Sequence, residues 1–298
     1  VLTVSSGAGS IGSVTNNNDG TYSATYTAGN TAGAVVISAT YGGTSLTDKS
    51  ITLAPGAATK YIVTASSASV TAGSTLTVTA QLSDQYNNSV STSGQIVTWS
   101  ASNSGSFATA TSTTNSSGVA TVVYTTNVTM AASATVTGTT SSLSGTSSAF
   151  ATVAGAAYSI AINAGNNQTA TVNTAVSTVP SVIVKDANNN VVAGTTVTFT
   201  VITGGGAVVT GAAATSNSSG IASATSWTLG TTAGSNTLRV SSGSLSGSPL
   251  TFTATGTAGT ATQMSIYTGN NQTGVAAYAV STAPAVRLQD AYNLSLIH

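Results

Sequence analysis

Residues 155–189 read GAAYSIAINAGNNQTATVNTAVSTVPSVIVKDANN, and residues 259–293 read GTATQMSIYTGNNQTGVAAYAVSTAPAVRLQDAYN. The second stretch repeats the first at a shift of 104 residues with no gap, and 17 of the 35 positions are identical. The Gly-Asn-Asn-Gln-Thr turn, the Ala-Val-Ser-Thr-x-Pro segment and the Asp-Ala pair all recur. Self-similarity at this spacing marks one folding unit of about a hundred residues, written in tandem.

Composition sets the class of that unit. Charged residues make up 3% of the 298 positions, with five Lys+Arg, five Asp, no Glu and one His, while 41% are hydrophobic. Disordered chains are charged and poor in β-branched residues, whereas this one is crowded with Thr, Val and Ser. Branched Cβ atoms favour a pleated, half-buried backbone, so the expectation is an all-β protein. Phosphate neutralisation needs clustered cations, and Lys49, Lys60, Lys185, Arg239 and Arg287 lie far apart, which argues against a nucleic-acid partner. No apolar run of about 18 residues is present to enter a membrane. There is no cysteine, hence no disulfide and no thiolate chemistry. The opening VLTVSSGAGS lacks a charged start followed by an apolar core, so the reading expects a chain that begins within a longer protein.

Turn signals and alternation divide the chain into residues 1–55, the second half of a module; 56–154 and 155–258, two whole modules; and 259–298, the first strands of another. In the first part Asp19-Gly20 signals a turn, a strand runs from Thr21 to Tyr26 with Tyr22, Ala24 and Tyr26 on one face, and strands follow at 35–41 and 50–53. In the second, strands are expected at 60–65, at 75–82 with Leu76, Val78, Ala80 and Leu82 buried, at 96–100 with Val97 and Trp99 on one side, and at 119–125, 131–139 and 147–153. Turns fall at 84–88 and 115–118. The third part repeats the plan, with turns at 186–190 and 217–220 and Val197, Phe199 and Val201 on the inner face. About seven short strands per hundred residues, with turn signals every 8–12, is the pattern of tandem immunoglobulin-like β-sandwiches. Trp99 is the expected core anchor of the first whole module.

Specific segments carry a resemblance. Residues 14–29, VTNNNDGTYSATYTAG, resemble a segment of bacterial immunoglobulin-like repeats of the invasin and intimin type (Big-1-like). Ala72-Gly73-Ser74 and residues 78–90, VTAQLSDQYNNSV, are similar to that family's strand and turn, with Asn87 where the family has Gly and Ser89 where it has Pro. Asn115-Ser116-Ser117-Gly118, Asn217-Ser218-Ser219-Gly220 and residues 227–234, WTLGTTAG, look like further family segments. The final Leu294-Ser295-Leu296-Ile297-His298 breaks the pattern. The resemblance implies stalk modules of a bacterial surface or secreted adhesin, outside the cell, whose partners are neighbouring modules and, through other parts of the protein, host glycans or receptors.

Candidate sites are few. Asp84 and Asp186 stand at matching turns. They suit either a calcium ligand, which needs six to eight oxygens, or an Asx-turn, and one carboxylate per turn favours the Asx-turn. Lys60 and Lys185 raise a Lys–Asn amide crosslink, but such chemistry needs a buried carboxylate to move protons. Serine nucleophiles lack a base, because the single histidine is His298. Gly204-Gly205-Gly206 lacks the Gly-Lys-Ser/Thr of a phosphate loop and reads as a hairpin or loop. Tyr22, Tyr26, Tyr86, Tyr267, Tyr278 and Tyr292 could line a sugar-binding surface, but single tyrosines on alternating strands are expected in the core or in cross-strand pairs. Asn127-Val128-Thr129 is a glycosylation acceptor that such a composition produces by chance. The reading therefore expects no catalytic, cofactor or metal site and no enzyme. It expects a spacer, with a glycan- or receptor-binding module as the alternative and an enzyme-accessory or phage-tail domain behind it.

Overall fold

The computed structural model describes residues 1–209 and 213–296. The described residues contain strands and turns and no helix. The chain gathers into two compact units, Val1–Val153 and Ala154–His298.

In the first unit, residues 60–153 build a two-layer sandwich. One layer orders Ser106–Phe107, Val119–Thr125, Thr75–Ser83 and Lys60–Ala65; the other orders Thr111–Thr113, Ile96–Ala101, Val136–Thr139 and Ser144–Thr146. Alternation decides which side chains meet between them. Leu76, Val78, Ala80 and Leu82 are all buried, and Val97 and Trp99 face them from the opposite layer. The deepest aromatic is Tyr124, which packs against Phe107 and Phe150. Trp99 belongs to the same core, and its indole Nε1 donates to Ser112 Oγ at 2.9 Å.

The strand expected over 131–139 is cut in two. Ala131–Ala134 pairs with Phe150–Val153, whereas Val136–Thr139 pairs with Ile96–Ala101. Thr135, at the cut, donates its N–H to Ser102 Oγ instead of to a neighbouring strand. The break lets one stretch of chain serve two sheets, a common way to turn a sandwich corner. Ser69–Thr71 lies beside Phe150–Val153 and runs parallel to it.

The second unit repeats this plan. Ser159–Ala164, Ser181–Lys185 and Ile221–Ser223 form one sheet. Gln168–Thr171, Leu250–Thr257, Gly234–Ser241, Thr196–Thr203 and Ala214–Thr215 form the other, and Gln168–Thr171 is again parallel to Leu250–Thr257. Val197, Phe199, Leu238, Val240 and Phe252 fill the core. Trp227 is fully buried there. It pairs with Val208 as Tyr124 pairs with Phe107, so the large aromatic moves to a different strand from that of Trp99. Residues 204–206 are a loop linking strands of two different sheets.

Two further pieces are smaller. Gly33–Tyr41 pairs with Leu2–Ser6, Thr44–Ser45 and Lys49–Leu53. The single strand expected over 21–26 is two short ones: Tyr22–Ser23 pairs with Thr15–Asn16, and Tyr26–Ala28 pairs with Gly9–Ile11. At the other end, Gln263–Thr268 pairs with Ala285–Gln289. Ile297 and His298 lie outside the described residues.

The repeated Asn-Ser-Ser-Gly turns share one geometry. Asn115 Oδ1 accepts the N–H groups of Ser117 and Val119, and Asn217 Oδ1 accepts those of Ser219 and Ile221. Gly118 closes its turn at φ +76°, and a Cβ there would lie 1.9 Å from the Val90 carbonyl oxygen. Both the left-handed backbone and the close approach require glycine.

Candidate functional site

The 104-residue echo is a set of local bonds. Gly165 and Asn167 take left-handed φ values of +88° and +56°, as Gly269 and Asn271 do at +77° and +53°. The turn they make brings Gln168 back over the chain. Its Nε2 donates to the carbonyls of Gly165 and Thr178, and its Oε1 accepts from Thr178 N–H and Ser177 Oγ. Gln272 makes the same four bonds, to Gly269, Thr282 and Ser281. The recurrent Gly, Asn, Gln, Ser and Thr are therefore each used by the clamp.

The aspartate turns are the chain's other recurrent polar feature. Asp84 is buried. Its Oδ1 accepts the N–H groups of Tyr86 and Asn88, both at 2.9 Å, and its Oδ2 accepts Gly56 N–H at 2.9 Å and Asn88 Nδ2 at 2.8 Å. Asp186 repeats the arrangement with Asn188, Asn190 and Gly155. Asp290 accepts from Tyr292, Leu294 and Gly259, but Leu294 stands where Asn88 and Asn190 stand and supplies no side-chain amide. Each carboxylate thus folds its own Asx-turn and also holds a glycine 28 or 31 residues upstream.

A carboxylate offers about four acceptor sites, and N–H donors take four on Asp84 and four on Asp186. A cation would have to displace bonds the fold already uses. Among the described residues, no three His, Cys, Asp or Glu side chains lie together. The Asn88 amide, followed by the backbone N–H groups of Gly56, Asn88 and Tyr86, holds the Asp84 carboxyl at about 2 against the opposing effect of burial. Burial is the largest influence on Asp186 and on Asp290 and pushes both upward. The donors nevertheless outweigh it and leave both below the ordinary carboxylate value.

Asn87 takes a left-handed backbone, as its counterparts do: φ is +70° at Asn87, +66° at Asn189 and +63° at Asn293. Asparagine is among the few residues with a side chain that enter this region readily.

The remaining candidates are dispersed. Lys60 Nζ donates to the Gln85 carbonyl at 3.4 Å. Asn127 Oδ1 accepts Thr129 N–H in a local turn. Tyr22 and Tyr26 stand in cross-strand pairs, with Asn16 and Ile11, but none of the six tyrosines is in the core: Tyr22, Tyr86, Tyr267, Tyr278 and Tyr292 are exposed, and Tyr26 is half-buried with its hydroxyl donating to the Ala8 carbonyl. Tyr267 lies under the Arg287 guanidinium, 4.4 Å from its ring centre, while Tyr22, Tyr86, Tyr278 and Tyr292 border four separate clefts. The buried tyrosines are Tyr61 and Tyr124, which fall on strands where alternation alone places them inward.

No family model matches the chain, and no curated protein matches it. Solved structures do. InvD of Yersinia pseudotuberculosis superposes with a TM-score of 0.54 at 18% identity, over 80% of this chain and 73% of that one. The chain has the tandem immunoglobulin-like fold of the invasin type. The Escherichia coli adhesin FdeC is similar at 21% identity and a TM-score of 0.46, over 86% of this chain and 85% of its own. Invasin, described as a bacterial integrin-binding protein, is similar at 18% identity and a TM-score of 0.38, over 79% of this chain and 47% of its own.

Proposed function

We propose that this segment is a structural spacer of a bacterial surface or secreted adhesin-like protein, and that its work is mechanical rather than chemical. One observation carries the reading: the polar residues that recur from module to module, Asp84, Asp186, Asp290, Gln168 and Gln272, are spent on holding the backbone. A binding or catalytic surface keeps polar groups turned to a ligand; here they face turns and the glycines where modules start. Solved adhesins of the same fold support the setting. Low charge suits a spacer that keeps its behaviour across ionic strengths, since few ion pairs exist to be screened.

Small-angle scattering on the 298-residue chain, in low and high salt, tests the reading. An extended particle whose dimensions do not change with salt is expected, and a compact particle overturns it. A glycan array probed with the same chain tests the competing reading of a loop-borne binding module; a saturable, specific hit on residues 56–258 would put that reading first.

A further inference from the structure

We propose that Asn88 locks the joint between residues 1–55 and the sandwich that follows, which deepens the spacer reading and rests on it. The Asn88 side chain is engaged on both sides of that joint. Its Nδ2 donates to Asp84 Oδ2 in its own module and to the Asn30 carbonyl in the preceding one, both at 2.8 Å. Its Oδ1 accepts the Ala32 N–H at 2.8 Å. Both amide protons and the amide oxygen are therefore committed, with two of the three bonds crossing to the preceding module. Asp84 in turn holds Gly56, the linker residue itself, at 2.9 Å. Linker, turn and preceding loop close into one bonded circuit.

Joined domains move relative to one another unless something fixes them, and a short linker restricts reach more than angle. An amide that reads two backbone groups two residues apart fixes angle, because a donor and an acceptor must both stay in line. The partner it fits is main chain, the Asn30 carbonyl and the Ala32 N–H, so the lock depends on the shape of the 29–32 loop and not on its side chains. The chain also carries a natural contrast. Leu294 occupies the corresponding place after Asp290 and has no amide, and Tyr292 there meets Asn173 through its hydroxyl. The two joints are thus bonded differently, Asn88 spanning one and Tyr292 meeting Asn173 at the other.

The absence of cysteine makes the test direct. Thr47→Cys and Thr109→Cys, both at exposed positions, take spin labels on either side of the joint in the full 298-residue chain. Pulsed electron paramagnetic resonance then reads the distance distribution. The wild-type background should give one narrow distribution, and Asn88→Leu should broaden it roughly twofold or more. Asn88→Leu that stays folded by circular dichroism and keeps the narrow distribution overturns the proposal. Ala32→Pro removes the N–H from the other side and leaves the Asp84 turn alone. If Asn88→Leu does not fold, broadening in Ala32→Pro supports the lock and an unchanged width overturns it. A broad distribution in the wild-type background would sink the stiff-spacer reading as well, whereas narrow distributions throughout sink only the role of Asn88.

Discussion

Gln168 grips Thr178 by both ends of its side-chain amide: Nε2 donates to the Thr178 carbonyl at 2.7 Å, and Oε1 accepts the Thr178 N–H at 2.8 Å. The pair imitates one rung of a ladder where no strand is available. Gln168→Leu should hand both solvent-exposed backbone groups back to water and cost about 0.5–1.5 kcal/mol, read as a lower midpoint in urea. Gln168→Glu keeps the acceptor but loses the donor, and should fall between wild type and Gln168→Leu. Equal stability in all three proteins would mean that water replaces the clamp at no cost.

The two tryptophans offer a paired experiment. Trp99→Ala empties a core position and should cost about 3–5 kcal/mol. Trp99→Phe also loses the bond to Ser112, whereas the buried Trp227 Nε1 has no hydrogen-bond partner among the described residues. Trp227→Phe should therefore cost less than Trp99→Phe by about 1 kcal/mol. Each variant removes the indole of the sandwich it perturbs, so thermal unfolding followed by circular dichroism reads the loss. A larger loss at Trp227 would show that ring volume outweighs the unpaired donor.

Acid should loosen the aspartate turns. Asp84 is held at about 2 in the folded protein, below the value near 3.9 of an unfolded aspartate. A depressed folded value means that the unfolded chain binds the proton first as pH falls. The contribution is present in full above the unfolded value, declines between there and about pH 2, and is gone below that. Melting temperature should be level from neutral pH to about 5 and then drop. Asp84→Asn should be less stable at neutral pH and should show a smaller acid drop. An identical acid drop in Asp84→Asn would assign the effect to other carboxylates.

Asn87 tests whether backbone shape or side chain is needed at the turn. Asn87→Gly should change stability by less than about 1 kcal/mol, because glycine takes a φ of +70° freely. Asn87→Val should destabilise by about 1–2 kcal/mol, since a β-branched residue is strained there. Thermal unfolding of the three proteins side by side decides it, and a marked loss in Asn87→Gly would mean that the Asn87 side chain is itself required.

Much of the sandwich was legible because its strands obey a simple alternation. Lys60–Ala65 and Val119–Thr125 lie where the pattern puts them, and the residues between turn signals are too few for other structures. Thr135 carries no such signal: the change of sheet there comes from a tertiary bond to Ser102. Tyr22 and Tyr26 alternate correctly yet belong to two ribbons, since periodicity does not report which neighbour a strand will choose. The Asx-turns at Asp84 and Asp186 were legible because their bonds span two and four residues. The joint role of Asn88 was not, because its partners Asn30 and Ala32 lie 58 and 56 residues upstream.

The parallel pairing of Ser69–Thr71 with Phe150–Val153, and of Gln168–Thr171 with Leu250–Thr257, bears on how the sandwiches respond to tension. A ladder between an early segment and the last strand, both pointing the same way, is loaded along its length when the two ends of the module are pulled apart. Its rungs must shear together, whereas an antiparallel hairpin peels open one rung at a time. Resistance to stretching is therefore concentrated in two short seams, and the first seam to slip releases the slack of its whole sandwich at once.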